Sequence, residues 1–561
     1  MHPDLASAPP AAVPPAAAPA WTRWLDRGLI AAAFAGAALY TAWVEAGITA
    51  IGFPLDDAWI HLQFARNLAE GHGFSFNPGI PSSGSTAPLW TLVLAVPLAA
   101  GVPPLAAAKI LGLAGALVVA LTAAALARHL TGSRATGVFT GMAVALAPRM
   151  VWAGLSGMEV TLYTALSTLA VLAYARAAGT GRTGLSWGIL AGLAGWARPE
   201  TFVIGPVLAA GWVLSSGRVE GTRRLTKGWW QPLAAWALLV AGFMVFNYVL
   251  GGHPMPNTYY AKAYGMGTVL GLAAGRWSDA LYDAVRFPIR FLDDSVRWQA
   301  EQGMWLFGAA VPGVLAALGR LGRPAPRGAG AMLGILLVAP VAKGLVAPEP
   351  VLLVHDGRYV GHLLVLGIVI CALGFDALRQ VVRPGWVVVL LAVAALVQLA
   401  GGAARGAATY AAEVRNINDL QVRTAHWIAA HTSQDARVAT NDIGAIAFFG
   451  RRHILDTEGL VSPEAIWPKR MHRHLEFLEA SRPDVLVIFP NWYPKLAART
   501  DLFEEVARIS AEKVIAGGES LVIYRTPWTR PGRLNPPAPP ARTTSPIGAD
   551  RAPAPPGTSG R

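Results

Sequence analysis

The sequence predicts a polytopic α-helical membrane protein with a soluble α/β domain behind its last span. Three observations predict this class. Of 561 residues, 54% are hydrophobic and only 14% are charged, whereas soluble domains carry roughly a quarter charged residues. Apolar runs repeatedly approach the ~20 residues a helix needs to cross the hydrocarbon core. After residue 403 the texture changes to short β-like runs alternating with helical patterns. The 60 glycines and 20 tryptophans agree, since Gly is frequent in transmembrane helices and Trp gathers at membrane interfaces.

Taken in order, residues 1–27 begin Pro/Ala-rich and are expected as a disordered cytoplasmic tail. The first apolar run is too long for a cleaved signal and reads as a retained span. About eleven spans are expected within 28–402, near 28–50, 105–127, 135–152, 160–178, 184–197, 201–216, 229–250, 303–320, 328–347, 359–381 and 384–402. The run 88–102 is short and suits a helix lying in the interface. Charge supports that choice. With 88–102 flat, "TRWLDR", "ARHLTGSR", "ARAAGTGR", "GRVEGTRRLTK", "GRLGRPAPR" and "RQVVRP" all fall on one face, as the positive-inside rule requires of the cytoplasm. The expected location is thus the cell (inner) membrane, multi-pass, with the N-terminus cytoplasmic.

The opposite face then receives the first loop (51–104), "SGME", the turn at 198–200, the loop 251–302, the stretch 348–358 and everything after 403. In the extracytoplasmic α/β domain (403–528), helical patterns near 411–431 and 463–480 alternate with "ARVAT", "RHILDT", "PDVLVIFP" and "ESLVIYR". Residues 529–561 read as a disordered tail. The net charge of +13 does not indicate nucleic acid, because the cations sit in short loops and form no basic face with interleaved aromatics. A lone Cys371 in an apolar run excludes an internal disulfide.

The polar clusters on the outer face carry the chemistry. Asp56 and Asp57 open an amphipathic helix, "DAWIHLQFARNLAEG", directly behind the first span. Asp56 stands at an N-cap position and Asp57 in the positively polarised first turn; capping accounts for one acid better than for two. Neighbouring acids could also hold a divalent cation, Mg or Mn, with Glu159 as a third ligand beside Asp56 and Asp57. Arg198, Lys262 and Arg358 could supply the fixed positive charge a phosphate needs. Arg198 could equally close its turn by pairing with Glu200, and Lys262 and Arg358 could snorkel to the interface. His355, Asp356, Tyr359, Asn257, Tyr259, Tyr260, Glu159, Glu200 and His61 complete the polar set, as sugar or acceptor contacts or as ordinary loop and interface residues. Asp442, Asp456 and Glu458 read as caps and turn bonds, with a carbohydrate-docking surface at Trp492 and Tyr493 as the alternative.

Six segments in order carry a resemblance: "FPLDDAWIHLQFARNLAEGHGFSFNPG…PLWT", "LSGMEVTLYTAL", "GLAGWARPETF", "GHPMPNTYYAK", "HDGRY" and "NDIGAIAFFGRRHILDTEGLVSPE". Together they resemble GT-C glycosyltransferases that use polyprenyl-phosphate sugars, closest in texture to cell-wall arabinofuranosyltransferases and their relatives. Where the arabinosyl-type enzymes carry an acidic, aromatic stretch, this chain has "SSGST", which leaves the sugar open. The resemblance implies a GT-C-like catalytic module over 28–402 and an acidic catalytic group in the first loop, here Asp56 as base with Asp57 supporting it. It also implies a polyprenyl-phosphate sugar donor, a glycan, glycolipid or protein acceptor, and the lipid bilayer as solvent for the donor. A base suits this chemistry, since the phosphate leaving group needs little protonation while the acceptor hydroxyl must lose its proton. The competing reading from another class is a polytopic transporter or lipid flippase, which would place charges near mid-membrane on broken helices.

Overall fold

The structure, a computed structural model, describes residues 20–181, 184–216, 228–262, 268–302, 308–320, 325–346 and 357–535. The first helix, α1 (Ala20–Ile48), begins inside the segment expected to be disordered. It leads into a first loop built on α2 (Asp57–Ala69) and α3 (Pro88–Ala99). At 12 residues α3 is too short to cross a bilayer. Next come α4 (Pro104–Thr131), α5 (Arg134–Leu146), α6 (Pro148–Leu155), α7 (Val160–Thr180), α8 (Ser186–Ala197), α9 (Ile204–Ser216), α10 (Gln231–Gly251) and the short α11 (Asn257–Lys262). Proline sets two of the breaks. Pro148 holds Ala147 extended and bends α5 against α6 by 57°, and Pro199 does the same to Arg198 at the end of α8.

Among the described residues, seven helices are long and apolar enough to span, eight if the bent α5–α6 pair counts as one. By length and composition alone, that is fewer among the described residues than the about eleven expected. The segments near 184–197, 201–216 and 303–320 fold as helices of 12, 13 and 8 residues where described, or ~12–20 Å of rise. Residues 251–302, expected as a loop, hold a 26-residue amphipathic helix, Trp277–Gln302. Intrahelical pairs such as Arg297 with Asp293 at 2.9 Å support its polar side.

The boundary expected at 403 falls inside a helix. Trp386–Ile417 continues through a π turn into Arg423–His431, giving 46 residues without interruption from the last span into the C-terminal domain. That domain is a five-stranded sheet of β1 (Arg437–Thr440), β2 (His453–Asp456), β3 (Val485–Ile488), β4 (Glu504–Ser510) and β5 (Ser520–Arg525), ordered β2-β1-β3-β5-β4. β1 pairs parallel with β2 and β3, while β5 runs antiparallel to both β3 and β4. Four strands lie where the β-like runs predict them. β4 was missed because it is a largely exposed edge with polar and charged positions. The chain expected as tail remains ordered to residue 535, where Asn535 N donates to His431 O at 2.8 Å.

The first loop and the sheet share one core. Ile60, Phe64 and Phe76 pack with Val438, Ile446, Val485, Val487 and Ile523, while Leu455, Phe477, Leu486 and Tyr524 line the other side of the sheet. Asn77 pins the contact, its Nδ2 donating to Ile454 O and its Oδ1 accepting from Ile454 N, both at 2.9 Å.

Candidate active site

Local backbone chemistry places the charged groups. With Arg198 extended, Thr201 closes the turn by donating its N–H and hydroxyl to Arg198 O at 3.0 and 2.8 Å. Before Glu159, Gly157 adopts φ +72°, and a Cβ there would stand 2.5 Å from the Phe53 ring, so the turn takes only glycine. Trp90 Nε1 locks it by donating to Gly157 O at 3.0 Å. The Arg358 segment is clamped by Tyr163, whose hydroxyl donates to Arg358 O at 2.6 Å and accepts from Gly361 N at 2.8 Å.

These supports produce a buried ionic chain. Glu159, with no exposed surface, meets Arg198 Nη1 at 2.5 Å and His61 Nε2 at 3.2 Å. Burial pushes its carboxyl upward, but Arg198 and His61 more than offset that and hold it well below the usual carboxylate range. Arg198 Nε lies 3.2 Å from Glu200, which also receives Lys343 Nζ at 3.2 Å. The Tyr359 ring is ringed by cations, with Arg198, Lys343 and Arg358 at 4.3, 5.0 and 5.2 Å. Arg358 Nη1 in turn donates to Asp57 Oδ2 at 2.9 Å.

One cavity collects these groups. It encloses about 1030 Å³ of non-atom space, open mouth included, and four cations line it: Arg198, Lys262, Lys343 and Arg358. Glu200, Tyr359, Tyr259 and Thr86 supply further polar lining, and Phe202, Val203, Met255 and Val346 form an apolar wall. Its cations could hold a phosphate and its apolar side chains could contact a hydrocarbon chain.

Asp56 lies elsewhere in the network. It stands at the N-cap of α2 yet makes no side-chain cap there. Its carboxylate instead accepts from Gly444 N at 2.6 Å and Ala445 N at 2.8 Å, at the start of the helix Gly444–Gly450 in the C-terminal domain. Gly444 is required at this contact, because a Cβ would fall 2.1 Å from Asp56 O. Asp56 keeps some solvent-accessible surface, but protein surrounds it. Burial and then the charge of Asp442 push its carboxyl up to about 8 despite the two amides. Asp442, itself raised to about 6 mainly by burial, is held by Gln421 Nε2 at 2.6 Å.

Most, though not all, of the expected residues are brought together. Arg198, Lys262, Arg358, Tyr359, Tyr259 and Glu200 line the cavity, and Glu159, His61 and Asp57 sit directly behind it. Asn257 does not reach it: its Oδ1 accepts from Ser83 Oγ at 3.0 Å, tying α11 to the first loop. Tyr260 does not line it either, and its carbonyl accepts from Arg470 of the C-terminal domain at 2.6 Å. His355 and Asp356 lie outside the described residues. Arg198 both closes its turn with Glu200 and lines the cavity, so the two readings of that residue are compatible. Asp456 bonds the amides of Glu458 and Val461 at 2.8 and 2.9 Å, the turn role expected of it. Lys343 was missed because it lies in the apolar run Ala329–Val346, where its only signal was a lone cation near the helix end. Asp442, read as a cap, is instead the acid whose charge acts on Asp56.

The three carboxylates named for a divalent cation do not suit one together. Glu159 is engaged by Arg198 and His61, Asp57 by Arg358, and Asp56 by two amides. Among the described residues, no three His, Cys, Asp or Glu side chains gather with metal-ligand spacing.

By sequence, residues 412–529 match a domain of unknown function (DUF8728), and no curated protein matches the chain. By structure, the chain is similar to ArnT from Cupriavidus metallidurans bound to undecaprenyl phosphate, with TM-score 0.53 and 14% identity over 91% of this chain and 98% of that one. It is also similar to the Archaeoglobus fulgidus oligosaccharyltransferase, with TM-score 0.56 and 12% identity over 83% of this chain and 70% of that one. The likeness to arabinofuranosyltransferase AftD from Mycobacteria is looser, at TM-score 0.47 and 16% identity over 89% and 40% of the two chains, and carries no weight for the sugar. The fold is that of the GT-C glycosyltransferases, a polytopic membrane architecture.

Proposed function

We propose that this multi-pass membrane protein is a glycosyltransferase that moves a monosaccharide from a polyprenyl-phosphate donor to a hydroxyl acceptor at the outer membrane surface. The observation that carries this reading is the cavity itself, which is lined both by four cations and by apolar side chains. ArnT, which shares the fold, is described with undecaprenyl phosphate, and the archaeal oligosaccharyltransferase with dolichol phosphate. That likeness favours an enzyme over the transporter or flippase reading.

In the proposed reaction the acceptor O–H gives its proton to Asp56 as its oxygen bonds to the anomeric carbon. The carbon–oxygen bond to phosphate breaks, its electron pair leaves with the polyprenyl phosphate, and the anomeric centre inverts. Arg358, Lys262, Arg198 and Lys343 hold the departing charge. Asp57 is a positioning residue that fixes Arg358. Support for Asp56 as base comes from its raised carboxyl near 8, close to the optimum for a base working near neutrality. In Asp57's favour stands the fact that its carboxylate, unlike that of Asp56, touches a cavity-lining cation. Purified protein assayed with synthetic polyprenyl-phosphate sugars separates the two. Asp56→Asn should lose ~10²-fold or more in kcat with donor binding kept, and Asp57→Asn should chiefly raise KM. Full transfer by Asp56→Asn beside a dead Asp57→Asn would move the base to Asp57, and transfer surviving in the double variant would end the assignment.

A further inference from the structure

The far end of the bundle holds a second built feature. Arg23 and Arg27 lie near the start of α1, Arg128 and His129 near the end of α4, Arg134 opens α5, and Arg176 lies late in α7. Along α7 this end stands ~25 Å from Glu159. All six side chains line one groove enclosing about 2010 Å³ of non-atom space, open mouth included. Among the described residues Asp26 is the single carboxylate in its lining, and Arg134 occupies it through Nε and Nη2 at 2.9 and 2.8 Å. Arg23, Arg27, Arg128 and Arg176 have no acidic partner among the described residues.

Orientation signals explain cations in loops. They do not explain why cations from four helices converge on one groove with an apolar floor of Ile30, Leu121 and Leu172. A second, apolar groove lined by Leu29, Phe139, Met142 and Phe375 shares Asp26, Arg134 and Val138 with the first. Four arginines without acids repel one another unless an anion covers them, and the neighbouring groove offers room for hydrocarbon. An acidic protein segment would use the cations but leave the apolar channel empty. We infer that this groove seats an anionic phospholipid of the adjoining leaflet, its phosphates among the arginines and its acyl chains in the apolar groove. The arginine count favours a headgroup with two phosphates. This inference is independent of the proposed transfer reaction.

The test is lipid retention and thermal unfolding of the full-length protein in detergent. Cardiolipin should raise the unfolding temperature more than phosphatidylglycerol does, phosphatidylethanolamine should not raise it, and native mass spectrometry should show retained cardiolipin. Arg128→Gln with Arg176→Gln should weaken cardiolipin binding by about 30-fold while leaving basal transfer in detergent unchanged. Arg23→Gln with Arg27→Gln, on exposed positions of the first helix, gives the same readout without risk to folding. Equal stabilisation by phosphatidylethanolamine, the same shift from glycerol 3-phosphate alone, or undiminished cardiolipin binding in both double variants would overturn the inference.

Discussion

Asp56 holds two backbone amides of the C-terminal domain, while its neighbour Asp57 holds a guanidinium of the cavity. This division predicts distinct pH behaviour. As the proposed base, Asp56 with its carboxyl raised to about 8 is ionised only as pH climbs, so kcat/KM should rise from pH 6 to 9 with a midpoint far above the ordinary carboxylate value. Asp442→Asn removes a like charge and should move that midpoint down, which a pH–rate profile reads directly. The same shift bears on stability. Folded Asp56 binds its proton more tightly than unfolded Asp56, so between the ordinary aspartate value of 3.8 and about 8 its contribution falls as pH rises. Thermal unfolding of Asp56→Asn across that window should show a flatter decline than the parent. Among the cations, Arg358→Lys should lose the flat fork that meets both Asp57 and a phosphate. Donor affinity should fall by ~10-fold or more, measured by titration with polyprenyl phosphate. Arg198, Lys262 and Arg358 were legible in sequence as cations beside polar clusters. The partner of Asp56 was not, since it lies 388 residues downstream and no local pattern encodes such a contact.

Elements read from sequence succeeded where burial is continuous and failed where it is not. β1, β2, β3 and β5 are largely buried and apolar, and their runs stand out; β4 alternates exposed charges at an edge and does not. Spans longer than 18 residues announce themselves by hydropathy, whereas α8 and α9 are apolar without being long enough to cross. The helix Gly444–Gly450 makes a sharper claim. With Asp56 O 2.1 Å from a Cβ built on Gly444, Gly444→Ala must push the first loop away from the sheet domain. The expected cost is ~1–3 kcal/mol in stability, together with a loss of transfer out of proportion to that loss of fold. Calorimetry beside a transfer assay on one preparation checks both.

Seen whole, the C-terminal domain and the first loop cannot be separated. Ile60, Phe64 and Phe76 share one buried core with the sheet and the helices around it. A chain ending at residue 431 should therefore expose them and aggregate in detergent, as size-exclusion chromatography would show, rather than leave a working membrane half. The uninterrupted 46-residue helix that joins the halves acts as a mast ~70 Å long stepped in the bilayer, with its upper end beside the amides that grip Asp56. Any lean of that mast in a thinner or thicker bilayer swings those amides with it. Catalytic rate should accordingly track acyl-chain length in reconstituted vesicles, making membrane thickness itself a control on turnover.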